Sequence, residues 1–229
     1  MIVVGLLLAA GSSSRMGSAN KLLQTIDTRP MIATIIAQLM KSSLDELWVV
    51  TGFQSDMIQP LVEQLLNDDA LVEGKKIHCV ENTEFSQGLS TSLKCGVQAL
   101  PSSVDAVMIV QADMPTLTAE HFDSLLSAYK KTNAISSVWS NSNDEKNLDD
   151  QKIIAPYYQG RRGNPIIFPR RFFESLKTIQ GDQGARQLLK QSPDQIVAVE
   201  MCDDAVLMDI DTPAQLQAAR LSVKKEGGL

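Results

Sequence analysis

Residues Ile2 to Lys21 read IVVGLLLAAGSSSRMGSANK, an apolar run that breaks into glycine and serine and then sets one arginine and one lysine just beyond the turn. Ile2 to Leu8 falls well short of the roughly 20 apolar residues a membrane helix needs, and suits a strand buried on both faces of a parallel sheet. The segment lacks the basic start of a secretory signal, so a first strand explains it better. Gly11, Ser12, Ser13 and Ser14 let the backbone come close to an anion, with N–H groups and hydroxyls as donors. Arg15 and Lys21 add positive charge suited to a triphosphate. A chain that begins this way is constrained to an α/β fold with a phosphate cradle after its first strand.

The spacing excludes the two commonest glycine-rich loops. A Walker loop needs G-x-x-x-x-G-K-[ST], whereas here Gly17 stands too far from Gly11 and Ser18 follows it in place of lysine. The dinucleotide pattern G-x-G-x-x-G is also missing. What stands instead is Leu8-Ala9-Ala10-Gly11-x-Ser13-x-Arg15-Met16-Gly17 followed by Lys21. Further along come Gln87-Gly88-Leu89-x-x-Ser92-Leu93, Asp113-Met114-Pro115, Gly163-Asn164-Pro165, Gly181-Asp182-x-Gly184-Ala185-Arg186 and Asp209-Ile210-Asp211-Thr212-Pro213.

In that order these segments resemble the MobA-like nucleotidyltransferases, which activate sugars, alcohols and pterins. Within that family they look most like the molybdenum cofactor cytidylyltransferases. The guanylyl-transferring relatives typically carry Ala-Gly-Gly where this chain has Ala9-Ala10-Gly11, and many members place the lysine three residues after the RMG glycine rather than four. The resemblance implies a Rossmann-like three-layer α/β sandwich with a mostly parallel central sheet. It implies transfer of CMP from CTP to the terminal phosphate of molybdopterin, with Mg²⁺ as cofactor and pyrophosphate as product. Transient contact with a molybdoenzyme apoprotein or its chaperone would follow from an unstable product. The same fold acting on GTP or on a sugar or alcohol phosphate is the alternative within the class, and a non-catalytic nucleotide-binding chaperone the alternative outside it.

At 229 residues the chain fits one α/β domain, with residues 1–140 as the nucleotide-binding half and 150–229 as the half that binds the acceptor and completes the metal site. A net charge of −6 argues against a general nucleic-acid binder, since phosphate backbones favour broad basic surfaces. Cys79, Cys95 and Cys202 are far apart and lack C-x-x-C spacing, which points to neither zinc nor disulfides and suits the cytoplasm. No stretch is long and apolar enough to suggest a membrane partner.

Strands are predicted at Ile2–Leu8, Glu46–Thr51, Lys76–Glu81, Ala106–Val110 and Ala134–Trp139, alternating with helices at Pro30–Lys41, Ser55–Leu66, Leu89–Ala99 and Thr118–Lys130. Ser140–Gln151, rich in Asn, Asp and Ser, reads as a surface loop. A second half follows with short strands at Ile153–Tyr158 and Pro165–Phe168, a helix near Gly184–Lys190, a strand at Ile196–Met201 and a last helix at Pro213–Val223. It is expected to cover one side of the sheet.

Asp113 follows a strand and should project from its C-terminal end, where open α/β sheets bind ligands, although an aspartate in Asp-x-Pro can also simply shape a turn. In an extended Asp209-Ile210-Asp211 both carboxylates share a face. The resemblance makes Asp113 and Asp211 the metal ligands, with Asp209 as the less favoured alternative; Asp211 could instead cap the helix at Pro213. It also makes Arg15, Lys21 and Asp113 catalytic, and assigns nucleotide contacts to Leu8, Ala9, Ala10, Gly11, Ser12, Ser13, Arg15, Lys21, Gly88 and Ser92. Acceptor contacts fall to Arg162, Gly163 and Asn164. Arg161, Arg162, Arg170 and Arg171 otherwise read as a solvated charge run. His78 and His121 have no evident metal partners, and Trp48 and Trp139 read as core residues.

Overall fold

The computed structural model describes residues 1–12, 20–66, 74–135, 150–181 and 184–226. Its central sheet runs in the order β10-β7-β9-β6-β1-β4-β5, with β8 paired to β7. The strands of the first half are β1 (Val3–Ala9), β4 (Glu46–Thr51), β5 (Lys76–Glu81) and β6 (Ala106–Gln111). β2 (Thr25–Ile26) and β3 (Arg29–Pro30) form a separate small hairpin. The second half supplies β7 (Ile153–Tyr158), β8 (Arg161–Arg162), β9 (Ile166–Pro169) and β10 (Ile196–Glu200). β1 lies parallel to both β4 and β6, β4 to β5 and β10 to β7, whereas β9 runs antiparallel to β6 and β7.

Alternation along the strands divides the core into two layers. Val3, Leu7 and Ala9 of β1 face α1 (Met31–Lys41), α2 (Ser55–Leu66), α4 (Ala119–Ile135) and α7 (Pro213–Glu226), packing with Ile32, Ile35, Ile58, Phe122 and Leu216. Val4, Leu6 and Ala10 face α3 (Leu89–Ala99), α5 (Phe173–Lys177) and α6 (Arg186–Gln191), meeting Leu93, Val97, Phe173, Leu176 and Leu189. This is the expected three-layer sandwich. Apolar residues on both faces explain why the strands read as unbroken hydrophobic runs.

Three expectations need correction. The second half does not lie over one side of the sheet. Its strands β9, β7 and β10 extend the sheet beyond β6, because Ile166–Pro169 finds free hydrogen-bonding groups on that edge. Ala134 and Ile135, predicted as the start of a strand, end helix α4; the rest of that strand, including Trp139, lies outside the described residues. Trp48 is half-buried rather than a core residue, and stacks on His78 with ring centroids 4.3 Å apart. Most of the 140–151 loop also falls outside the described residues, although Gln151 is buried and its carbonyl accepts from Arg171 Nε at 2.8 Å.

Strand order reverses at β1. From β1 the chain moves outward through β4 and β5, then returns to place β6 on the other flank. The loops after β1 and β6 therefore part at the same sheet edge and leave a crevice between them, the usual ligand position in open α/β sheets.

Candidate active site

Lys21, Asp113 and Asp211 meet at this crevice. Lys21 Nζ lies 2.7 Å from Asp113 Oδ2 and 2.7 Å from Asp211 Oδ1. Each side chain is aimed by local chemistry. Lys21 opens a short 3₁₀ turn capped by Asn20, whose Oδ1 accepts from the Leu22 N–H at 3.0 Å while its Nδ2 donates to the Phe53 carbonyl at 3.3 Å. Asn20 is buried, so the turn is tied to the loop after β4. Asp113 stands two residues past β6, and its carbonyl accepts from the Ile210 N–H at 2.9 Å, which draws the Asp209–Thr212 segment to the same edge.

The capping role considered for Asp211 is filled by its neighbour. Thr212 Oγ1 accepts from the Gln215 N–H at 3.3 Å, while Gln215 Oε1 accepts from the N–H groups of Asp211 and Thr212 at 3.0 and 2.9 Å. This reciprocal capping box closes the start of α7 and leaves the Asp211 carboxylate directed at Lys21.

Burial holds the Asp113 carboxyl above the usual carboxylate range; Lys21 opposes that rise, and the charges of Asp211 and Asp209 add to it. Burial by itself would lower the Lys21 ammonium, but Asp113 and Asp211 outweigh it and hold the group above its ordinary value. Asp113 Oδ1 is buried without a hydrogen-bond partner among the described residues. A lone buried carboxylate oxygen beside a second carboxylate is a hard, oxygen-only donor set, and it fits a divalent cation of the Mg²⁺ or Mn²⁺ type.

A cleft of about 490 Å³ opens from this cluster. The structure brings Leu8, Ala10, Gly11 and Ser12 to one side of it and Gly88 and Ser92 to another. Gly88 adopts φ 112° and ψ 171°, a conformation open only to glycine, and from it α3 begins. Ser92 is buried and accepts from Asn82 Nδ2 at 3.0 Å. Ala9 does not line the cleft; it packs in the core on the opposite face of the sheet. Ser13 and Arg15 lie outside the described residues.

A second cleft of about 410 Å³ shares Leu8, Leu89 and Gln111 with the first. Arg162, Gly163 and Asn164 line it. Gly163 is required by packing: a Cβ there would stand 2.2 Å from the Val206 carbonyl oxygen, and the Asn164 N–H donates to that same oxygen at 2.9 Å. The four arginines divide by role. Arg170 donates to the carbonyls of Val104 and Pro101, Arg171 to Gln151 and Gln195, and each guanidinium covers a phenylalanine ring. These two fasten the fold, and Arg162 remains at the cleft.

Sequence reasoning missed Phe85, Ser86 and Gln111 in the clefts and Asn82 behind them. Only Gln111 carried a signal, as the polar residue ending an apolar strand two positions before Asp113. His121, Cys202 and Asp203 gather closely enough to suggest a metal site. The Thr118 N–H donates to His121 Nδ1 at 3.1 Å, so Nε2 carries the proton and donates to Asp203 at 3.0 Å. That ring is a tie between the start of α4 and the segment leading to Asp209.

A crevice at the strand-order reversal thus carries a lysine held between two carboxylates, with two adjoining clefts that leave room for two substrates. The MobA-like NTP transferase domain model matches residues 5–196, and the chain belongs to that family. Among curated relatives, the purine catabolism protein PucB of Bacillus subtilis is 28% identical over 95% of this chain and 96% of its own. Nicotine blue oxidoreductase of Paenarthrobacter nicotinovorans is 25% identical, with 93% and 94% covered. The molybdenum cofactor cytidylyltransferase of Escherichia coli is 26% identical, with 93% and 92% covered. Among solved structures, the Rv0371c homologue from Mycobacterium sp. strain JC1 superposes with a TM-score of 0.74 at 22% identity, covering 98% of each chain. The manganese complex of Rv0371c from Mycobacterium tuberculosis gives 0.67 at 18% identity, covering 97% of this chain and 100% of that one.

Proposed function

We propose that this protein transfers CMP from CTP to the terminal phosphate of molybdopterin. The observation that carries the reading is the Lys21 ammonium at 2.7 Å from both Asp113 and Asp211, in the first of two adjoining clefts that could seat a nucleotide and an acceptor side by side. A phosphate oxygen of the acceptor forms a bond to the α-phosphorus. The bond from that phosphorus to the oxygen bridging to the β-phosphate breaks, and pyrophosphate leaves with the oxygen and its electron pair. No protein nucleophile is needed, and positioning and charge neutralisation supply the acceleration.

Gly11, Ser12 and Ser13 would cradle the phosphates, with Leu8, Ala9 and Ala10 as the strand end that carries them. Arg15 and Lys21 would neutralise developing charge, and Gly88 and Ser92 would face the nucleoside. Arg162, Gly163 and Asn164 would meet the acceptor. Asp113 and Asp211 would hold the divalent ion, Mg²⁺ in this reading; when bound it supplies charge neutralisation and aligns the phosphates. The E. coli relative's name is this activity, which supports the reading; the PucB name places that relative in purine catabolism. Action in the cytoplasm, with hand-over to an apoenzyme or its chaperone, belongs to the same reading.

The test is incubation with molybdopterin, Mg²⁺ and each nucleoside triphosphate in turn, with pyrophosphate release recorded. CTP should support release, and Asp113→Asn and Asp211→Asn should abolish it while the protein stays folded. Release with GTP alone, or full activity in both variants, would overturn the assignment.

A further inference from the structure

Two basic residues of the second cleft have no part in the account so far. Arg186 and Lys190 both line it, four residues apart and therefore on one side of α6. Leu189 between them is buried and anchors the helix. Gly184, just ahead of α6, lies so close to Leu89 that an added Cβ would come within 3.0 Å of its Cδ2. That contact seats α6 against the wall the two clefts share. Arg162 comes to the same cleft from β8, with its backbone held by the Tyr157 pairing and by the pinned Gly163 that follows it.

Among the described residues, the cleft is thus lined by three cations and no carboxylate, and none of the three forms an ion pair. In a chain with a net charge of −6, three cations gathered around one cavity are a local concentration of positive charge. The rest of the lining is largely apolar, with Ile109, Ile166 and Phe168 contributed by β6 and β9. An apolar wall beside arginines suits a flat body that carries a phosphate, because guanidinium groups bind phosphate oxygens in pairs.

We propose that Arg186 and Lys190, together with Arg162, form an anion clamp that holds the phosphomonoester of a flat, apolar-faced acceptor in the second cleft. The proposal rests on the nucleotidyl-transfer reading for its assignment of donor and acceptor clefts, and it assigns binding to a helix that the acceptor motif around Gly163 does not include.

The test uses the full chain and three probes without turnover: fluorescent 6-hydroxymethylpterin phosphate, its dephosphorylated form, and glycerol 3-phosphate as a competitor without a ring. Anisotropy should show the phosphorylated pterin binding wild type more tightly than the dephosphorylated one. Arg186→Gln/Lys190→Gln, on two exposed positions, should weaken it by about tenfold or more through the loss of charge-assisted contacts. Affinity for CTP with Mn²⁺ should match wild type, and Arg186→Lys should recover part of the loss. Equal pterin phosphate affinity in the double variant and wild type overturns the clamp, as does displacement of the probe by CTP or the failure of every phosphate to bind. If glycerol 3-phosphate, followed by calorimetry, binds with the same dependence on Arg186 and Lys190 while pterin phosphate does not, the flat acceptor of the proposal is overturned and the molybdopterin reading falls with it.

Discussion

Replacing Lys21 by methionine separates its hold on the two carboxylates from its part in neutralising phosphate charge. Its ammonium makes a 2.7 Å contact with each carboxylate, and the three side chains are 13%, 18% and 32% exposed for Lys21, Asp113 and Asp211. These groups are shielded enough for the loss of the cation to leave uncompensated charge. Breaking a buried pair by removing one partner costs about 3–5 kcal/mol, and Asp211, the most exposed of the three, brings the expected value toward the lower end. At about 2–4 °C per kcal/mol for a chain of this size, Lys21→Met should melt about 6–12 °C below wild type in EDTA. A divalent ion can replace the missing charge, and at 100 times its dissociation constant it restores about 2.7 kcal/mol.

In wild type the ion must first displace the ammonium, so divalent-ion stabilisation should be larger in Lys21→Met than in the parent, and Mn²⁺ without nucleotide should bind the variant more tightly. The pH dependence follows the same logic. Asp113 is held above its usual range, so the stability tied to its neutral form is fully present below the ordinary aspartate value of about 3.9 and is lost as pH rises through the folded value. Removing Lys21 takes away a lowering influence and should move that loss to higher pH. Calorimetry with and without EDTA, together with Mn²⁺ titration followed by electron paramagnetic resonance, reads both effects. Equal melting shifts and equal Mn²⁺ affinity in the two proteins would refute a lysine that occupies the cation's place.

Gly11→Ala should fold normally, because a Cβ there meets no described residue within 4 Å, yet lose triphosphate affinity when the methyl enters the space left for phosphate; unchanged nucleotide binding in a titration would remove Gly11 from the cradle. Thr212→Val breaks the capping box and should cost about 1 kcal/mol of stability while lowering turnover, since Asp211 loses its fixed direction; a stability loss with turnover untouched would show that Asp211 needs no such support. In direct competition CTP should be used over GTP, and Ala10→Gly should raise GTP use modestly, by less than the tenfold a fully exposed methyl could exert, because Ala10 is only 2% exposed. Equal incorporation of the two nucleotides by wild type would mean that base choice lies elsewhere.

Local pattern determined much of this molecule. The apolar runs at Glu46–Thr51, Lys76–Glu81 and Ile153–Tyr158 and the helical periods at Ser55–Leu66 and Leu89–Ala99 appear in the structure with the bounds read from the chain, because strand and helix periodicity are properties of neighbouring residues. The motif around Gly11 indicated the class of ligand for the same reason, since a glycine–serine turn after a buried strand exposes its amides wherever it occurs. Tertiary structure decided what depends on distant groups. Lys21 meets Asp113 across 92 residues and Asp211 across 190, and no local rule states that these charges will meet. Thr212 rather than Asp211 caps α7 because Gln215 folds back on it, and only that outcome leaves the Asp211 carboxylate pointing at Lys21. The extension of the sheet by β9, β7 and β10 likewise followed from the free edge of β6, which exists only once the first half has folded. Arg162, Arg170 and Arg171 looked alike in the chain; carbonyls supplied from elsewhere, added to the neighbouring rings of Phe172 and Phe173, took two of them into the framework and left the third lining a cleft.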